Sequence, residues 1–187
     1  MRALVAVLGA GSASRFAGEK LARPCAGKPL VSWALEAAIA TGFDVAFIAR
    51  PGTTCHIPEA CTVVLNDEAE QGIATSIACA ARIARGGYYD GLLVTLADMP
   101  LVTGDLLLRL VRAGATSACC YADGRLGVPA FFPSHRFPQL DGLAGDSGAG
   151  VIIAGWSGVI AVACDPIMLM DVDDAIGLEL AAAQLVG

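Results

Sequence analysis

Positive charge is scarce in this chain: twelve Lys and Arg residues stand against eighteen Asp and Glu, for a net charge of −6 at pH 7. With no basic face to offer, the protein is not expected to bind nucleic acid or an anionic membrane surface. Charged residues make up only 16% of the sequence and aromatic ones 6%, while 56% is hydrophobic, which excludes an extended disordered chain. Histidine is nearly absent, and its two copies, His56 and His135, fall beside Pro58 and after Pro133, in surface or structural surroundings rather than in a catalytic constellation. Repeats, low-complexity tracts and inter-domain linkers are lacking, so residues 1–187 are expected to form one domain that buries roughly 70% of its unfolded surface.

Metal-binding cysteine pairs are missing as well. The seven cysteines are odd in number, show no C-x-x-C spacing and lie partly in apolar runs, so they read as reduced thiols of a cytoplasmic protein. The neighbours Cys119 and Cys120 sit in strand-like surroundings and are read as packing residues. The longest uncharged stretch, Ser147 to Cys164, is broken by glycines and by Trp156-Ser157-Gly158 into a helix and a strand, which argues against a membrane span. The opening segment Met1–Gly11 has a single basic residue and a short apolar run, and reads as a buried first strand rather than a leader.

What is present alternates. Strand-like runs fall at Ala3–Leu8, Asp44–Ala49, Thr62–Leu65, Gly91–Leu96, Ser117–Tyr121 and Val159–Ala163. Helical runs fall at Leu30–Thr41, Ile73–Arg85, Gly104–Ala113, Ala149–Ala154 and Ala175–Leu185. Apolar strands alternating with helices imply an α/β fold, a Rossmann-like three-layer α/β/α sandwich whose mostly parallel sheet is covered on both faces. Ligands of such sheets bind at the carboxyl ends of the strands.

Two segments at that edge carry chemistry. The first, Leu8 to Leu21, reads LGAGSASRFAGEKL and joins glycines, which let backbone N–H groups approach an anion, to two separated cations, Arg15 and Lys20. That combination suits a triphosphate. Gly9-Ala10-Gly11 also begins a dinucleotide fingerprint, and Arg50, after the second strand, could read a 2′-phosphate, so an NADP-dependent oxidoreductase is an alternative. Against it, Ser14 stands where the third glycine belongs and Pro24 interrupts the expected helix. No G-K-[ST] closes the loop as a P-loop would.

The second segment is Leu96-Ala97-Asp98-Met99-Pro100. A carboxylate directly after a buried strand, followed by a proline that delays the next helix, is placed to hold Mg²⁺, which takes one or two protein carboxylates when it is bound to phosphate. Asp98 could instead cap the next helix, although Thr103 and Asp105 are better placed for that. The late cluster Asp171-Val172-Asp173-Asp174 has two readings that do not exclude each other. Alternation puts Asp171 and Asp173 on one face, where they could complete a metal site with Asp98. Asp173 and Asp174 also suit the N-terminus of the helix that starts near Ala175.

The motifs LGAGSASRFAGEKL, GKPLVSWALEAA, LNDEAEQGIATSIACAA, LADMP, GVPAFF, LAGDSGAG and DVDD follow one another in the order and spacing of the nucleotidyltransferases of molybdenum cofactor biosynthesis. The chain resembles that MobA-like family over nearly its whole length, and within it most resembles the cytidylyltransferase branch. Guanylyltransferases of the family usually read L-A-G-G where this chain has Ala10, so the resemblance favours CTP over GTP.

The resemblance implies a fold of the nucleotide-diphospho-sugar transferase type and transfer of CMP from CTP to the phosphate of molybdopterin or molybdenum cofactor. It implies Mg²⁺ as cofactor and a molybdenum hydroxylase or its maturation factor as partner. Leu8, Gly9, Ala10 and Gly11 would line the base and phosphates, Arg15 and Lys20 the triphosphate, and Asp98 the metal, these last three forming the catalytic set. Asn66, Gly72 and Ser76 would lie near the base and ribose, Gly127, Pro129 and Asp146 on the acceptor side, and Asp171 and Asp173 near the metal.

The chain departs from the family pattern at several points. Ala13 replaces a serine, and the family's G-D-[RK]-G-A-R loop becomes Gly145-Asp146-Ser147-Gly148-Ala149-Gly150, without its two cations. The final D-[IV]-D-T-P becomes DVDD followed by Ala175. A non-catalytic relative that binds a nucleotide or molybdopterin is therefore a further alternative.

Overall fold

The computed structural model describes residues 1–11, 20–143, 145 and 148–186. Its elements in chain order are β1 (Ala3–Leu8), β2 (Pro24–Cys25), β3 (Lys28–Pro29), α1 (Leu30–Ile39), β4 (Asp44–Ala49), β5 (Cys61–Leu65), α2 (Ile73–Gly86) and β6 (Gly91–Leu96). There follow α3 (Gly104–Arg112), β7 (Ser117–Cys120), β8 (Leu126–Pro133), α4 (Phe137–Asp141), α5 (Ala149–Ala154), β9 (Ile160–Val162) and α6 (Ala175–Val186). Seven strands form one sheet in the order β5-β4-β1-β6-β8-β7-β9, and β2 and β3 form a separate two-stranded hairpin.

Every residue of β1 is buried, as a strand covered on both faces requires. Its side chains alternate between two cores. Ala3, Val5 and Val7 pack with Val31, Leu35, Leu106 and Leu110 from α1 and α3. Leu4, Ala6 and Leu8 pack on the other face with Ile77, Ala81, Phe137 and Ile153 from α2, α4 and α5. The three-layer α/β/α architecture follows from this period of two.

Three strands depart from the sequence-based expectation, the two-residue β2 and β3 and the long β8. Between Tyr121 and Val159 the pattern predicts no strand, yet β8 is the longest in the sheet and runs antiparallel to both β6 and β7. Pro129 inside it conceals it from pattern reading, because proline lacks the donor a central strand needs. Here the β6–β8 ladder stops at Val94 opposite Ala130, one residue short of Pro129, and the Val128–Pro129 bond is cis. α4 likewise goes unpredicted. Elsewhere the expected runs match observed elements to within one or two residues.

The helix ends have identifiable causes. Thr103 caps α3 by accepting a hydrogen bond from the Leu106 N–H at 3.3 Å, and Asp174 accepts from the Gly177 N–H at 2.8 Å in the first turn of α6. α6 and the segment before it pack through Val172, Leu178 and Ala181 onto Cys25, Leu30 and Trp33, which ties the end of the chain to the small hairpin. No helix among the described residues is long and apolar enough to cross a membrane.

Candidate active site

The sheet register builds the site. Leu8 lies level with Ile48 on β4 and with Leu96 on β6. The Gly9 N–H donates to the Ile48 carbonyl at 2.8 Å, and the Ala97 N–H donates to the Leu8 carbonyl at 3.0 Å, so the ladder runs on past the strand ends. Beyond it the three loops open into a cavity of about 360 Å³, floored by Leu8 to Gly11 and walled by Lys20, Asp98, Asp173, Arg50, Gly72 and Ser76.

The two glycines of the first loop do different work. A Cβ on Gly9 would overlap the ring of Phe47 beneath it, so the packing of β4 under the loop dictates this glycine before any ligand does. A Cβ on Gly11 would meet nothing within 4 Å among the described residues, and Gly11 lines the cavity, where its backbone can approach an anion. The sequence reading had treated both as ligand-facing.

Lys20 opens a single 3-10 turn, Lys20–Ala22, whose Lys20 carbonyl accepts from the Arg23 N–H at 3.1 Å. The Leu30 N–H donates to the Arg23 carbonyl at 2.9 Å, anchoring the turn to the start of α1. From there Lys20 Nζ reaches Asp98 Oδ2 at 2.6 Å and Asp173 Oδ1 at 3.6 Å. The Lys20 and Asp98 side chains are only 14% and 22% exposed, so their charges are screened less than those of a surface pair.

Asp173 reaches the site through its neighbour. Val172 is fully buried, and its N–H donates to the Asp98 carbonyl at 2.9 Å, which fastens the acidic segment to the metal-candidate loop. Asp171, on the same side of the chain, does not line the cavity. Its carboxyl is pushed above the ordinary range by desolvation first and then by the charges of Asp173 and Asp98, with Lys20 pulling it back.

Among the described residues no three His, Cys, Asp or Glu side chains come together in a way that could hold a metal ion. Asp98 and Asp173 do converge on one cation. A pair of carboxylates fits a hard divalent ion whose other ligands are phosphate oxygens and water.

Asn66, expected near the base, serves a different purpose. It is buried, and its amide donates to Thr75 Oγ1 at 2.9 Å and to Ser76 Oγ at 3.0 Å, while its Oδ1 accepts from the Glu68 N–H at 3.1 Å. Asn66 does not line the cavity; it ties together the ends of the loop that does. Within that loop Gly72 and Ser76 face the cavity. Gly72 has φ +113° and ψ 170°, a conformation that only glycine adopts without strain.

Gly127 and Pro129 lie on β8. Because β8 is antiparallel, this early part of the strand reaches the same sheet edge as Asp98, on the side away from β4. Neither residue lines the cavity. A Cβ on Gly127 would come within 2.9 Å of the Tyr121 ring, whose hydroxyl donates to the Val128 carbonyl at 2.7 Å. Burial, then Asp171, raises the Tyr121 phenol to about 12, so it stays a donor at neutral pH. Arg15 and Asp146 lie outside the described residues.

Where the family has its second loop cation, Gly150 begins the first turn of α5 with the Leu126 carbonyl 3.1 Å from where a Cβ would stand. β8 presses too closely there for a long side chain to be added without movement. His56 and His135 are exposed and lie outside the cavity. Cys119 is buried, and desolvation pushes its thiol up, so it packs rather than reacts. The sequence reading missed Thr53, Cys55 and Glu70 as cavity residues; they sit in loops that no periodicity marks.

Residues 5–165 match the model of the MobA-like NTP transferase domain. The chain belongs to this family. The purine catabolism protein PucB of Bacillus subtilis (strain 168) is 30% identical over 155 residues, spanning 76% of each protein. The molybdenum cofactor guanylyltransferase of Cereibacter sphaeroides is 31% identical over 124 residues, 66% of this chain and 63% of that protein. The crystal structure of an Rv0371c homologue from Mycobacterium sp. strain JC1 superposes with a TM-score of 0.85 at 25% identity, covering 100% of this chain and 98% of the other.

This NTP transferase has the nucleotide-diphospho-sugar transferase fold that its motifs implied. The oxidoreductase alternative falls with the family assignment. The Gly9-Ala10-Gly11 loop that suggested it lines one cavity with the paired Lys20 and Asp98.

Proposed function

We propose that this protein transfers CMP from CTP to the phosphate of molybdopterin or molybdenum cofactor, with Mg²⁺ as cofactor and release of pyrophosphate. The observation that carries the reading is the position of Lys20 Nζ between Asp98 and Asp173, in the cavity that Gly11 also lines. An ammonium and two carboxylates at one point suit a metal-bound triphosphate.

In this reading Asp98 and Asp173 would hold Mg²⁺, which would supply positive charge to the phosphate oxygens. Lys20 and Arg15 bind the triphosphate, and the backbone N–H groups of Gly9 to Gly11 orient it. An acceptor phosphate oxygen, approaching from the β8 side past Gly127 and Pro129, attacks the α-phosphorus in line, with Asp146 assigned to the acceptor from its motif alone. One P–O bond forms to the acceptor, and the bond from the α-phosphorus to the bridging oxygen breaks. Pyrophosphate departs with that electron pair. A phosphate monoester is already anionic near neutral pH, so no side-chain base is required. The protein has to align two anions and offset their repulsion. The recipient of the product is a molybdenum hydroxylase or its maturation factor.

Ala10 on the cavity floor supports CTP; the name of the Cereibacter relative supports GTP as the second reading. Pyrophosphate release from each NTP with Mg²⁺ and molybdopterin, with chromatography of the dinucleotide formed, tests both. The expected result is turnover with CTP that falls by a factor of about a hundred or more in Lys20→Ala, the scale of a lost oxyanion donor. Turnover with GTP alone would transfer the assignment to a guanylyltransferase. No turnover with any NTP, despite nucleotide binding, would leave a non-catalytic relative.

A further inference from the structure

The wall of the cavity opposite Lys20 has no part in the scheme above. That wall starts at Arg50, which stands level with Asp98 across the sheet edge, each two residues beyond the strand residue aligned with Leu8, on either side of Ala10. They are thus about two strand spacings apart, roughly 10 Å. The Arg50 carbonyl accepts hydrogen bonds from the Thr53 hydroxyl at 2.8 Å and from the Thr53 N–H at 3.3 Å, which fixes the turn that presents its side chain. Arg50 is partly buried and lines the cavity, and its guanidinium has no hydrogen-bond or ion-pair partner among the described residues.

The same wall carries a carboxylate. The Asn66 N–H donates to the Ala49 carbonyl at 2.7 Å, so the segment leading to Glu70 leaves from the end of β4, beside Arg50. Glu70 lines the cavity and is likewise unpaired among the described residues. Arg50 offers only donors, and Glu70, ionised, only acceptors.

We propose that Arg50 and Glu70 read the base of the bound nucleotide. A wall holding both signs is ill suited to a phosphate, which an unshielded carboxylate repels. It suits a neutral ring that carries acceptors and an amino group side by side. With the phosphates at Lys20 and Asp98, as the proposed function requires and on which this inference rests, the base lies across Ala10 toward β4. Arg50 donates to O2 and N3 of cytosine, and Glu70 accepts from its N4 amino group, a pairing of the kind acidic residues make with cytosine in nucleic-acid recognition. Uracil, of the same size, turns N3 into a donor facing Arg50 and replaces the amino group with an oxygen facing Glu70. The pair is therefore a specificity device that selects an amino-bearing base over uracil.

Isothermal titration of wild type, Arg50→Met and Glu70→Gln with CTP, UTP, GTP and tripolyphosphate, all in Mg²⁺, tests this. Glu70→Gln is isosteric and Glu70 is exposed, so the fold is expected to survive the change. Wild type is expected to prefer CTP over UTP by about tenfold or more, the discrimination of one good base pairing. Each variant is expected to lose most of that ratio while binding tripolyphosphate as wild type does.

Equal weakening of CTP, UTP and tripolyphosphate in Arg50→Met would make Arg50 a phosphate contact and overturn the inference. An unchanged ratio in both variants would overturn it while leaving the proposed function intact. A wild-type preference for GTP that both variants lose would uphold the reading pair and reject CTP as donor. No binding of any nucleotide by wild type would overturn both.

Discussion

Gly9 and Gly11 stand two residues apart in one motif, yet they answer to different constraints. Gly9 is held by Phe47, fully buried beneath it, whereas a Cβ on Gly11 would touch none of the described residues. Gly9→Ala is therefore expected to destabilise the fold by about 1–3 kcal/mol, the usual cost of overpacking a core. Gly11→Ala is expected to leave stability unchanged and to weaken nucleotide binding. Denaturant unfolding of both variants, together with CTP titration, checks the contrast; equal destabilisation of the two would contradict it. The motif itself is legible in the sequence, and its position after a strand places it at the ligand-binding edge. The division of labour within it is not, because the partner that requires Gly9 is thirty-eight positions away on β4, brought under the loop only by the sheet.

Elements show the same pattern. The parallel strands and their covering helices are legible because each is an apolar run with a clear period, and Thr103 and Asp174 signal their helix starts. β8 is not legible: proline and glycine in its first half imitate a loop, and antiparallel insertion between β6 and β7 follows no local rule. The connection from β5 to α2 is another case. Its sequence suggests base-binding residues, but Asn66 spends its amide donors on Thr75 and Ser76 and its carbonyl on the Glu68 N–H. Asn66 is a positioning residue. Asn66→Ala removes the donor to Ser76 Oγ and to Thr75 Oγ1, which keeps its bonds to the Glu68 and Gly72 carbonyls, and frees the Glu68 N–H, loosening the loop that carries Glu70 and Gly72 with an expected loss of about 1–3 kcal/mol. Its effect on the nucleotide should appear as a raised KM for every NTP alike, since a loosened loop harms all bases. Steady-state kinetics with CTP and GTP, compared with thermal unfolding, separates this outcome from the base-selective effect expected at Glu70.

At the scale of the whole molecule, charge governs how the site can work. The protein carries a net charge of −6, and its substrates in the proposed reaction are both anions. Long-range electrostatics therefore opposes binding, and affinity rests on what is concentrated at one sheet edge. Along that edge run Arg50 after β4, the glycine loop after β1, Lys20 with Asp98 after β6, and the early residues of β8. In the proposed reaction Lys20, paired with Asp98 and Asp173, would be released toward the triphosphate by a metal ion that those carboxylates would hold. CTP and Mg²⁺ should accordingly stabilise the fold together and not separately. A ligand at a hundred times its dissociation constant adds about 2.7 kcal/mol. For a domain of this size that raises Tm by about 5–10 °C. Thermal unfolding with CTP, with Mg²⁺ and with both should show the full shift only for the combination, and Asp98→Ala should abolish it. A full shift with CTP alone would mean that the carboxylates do not act through a metal.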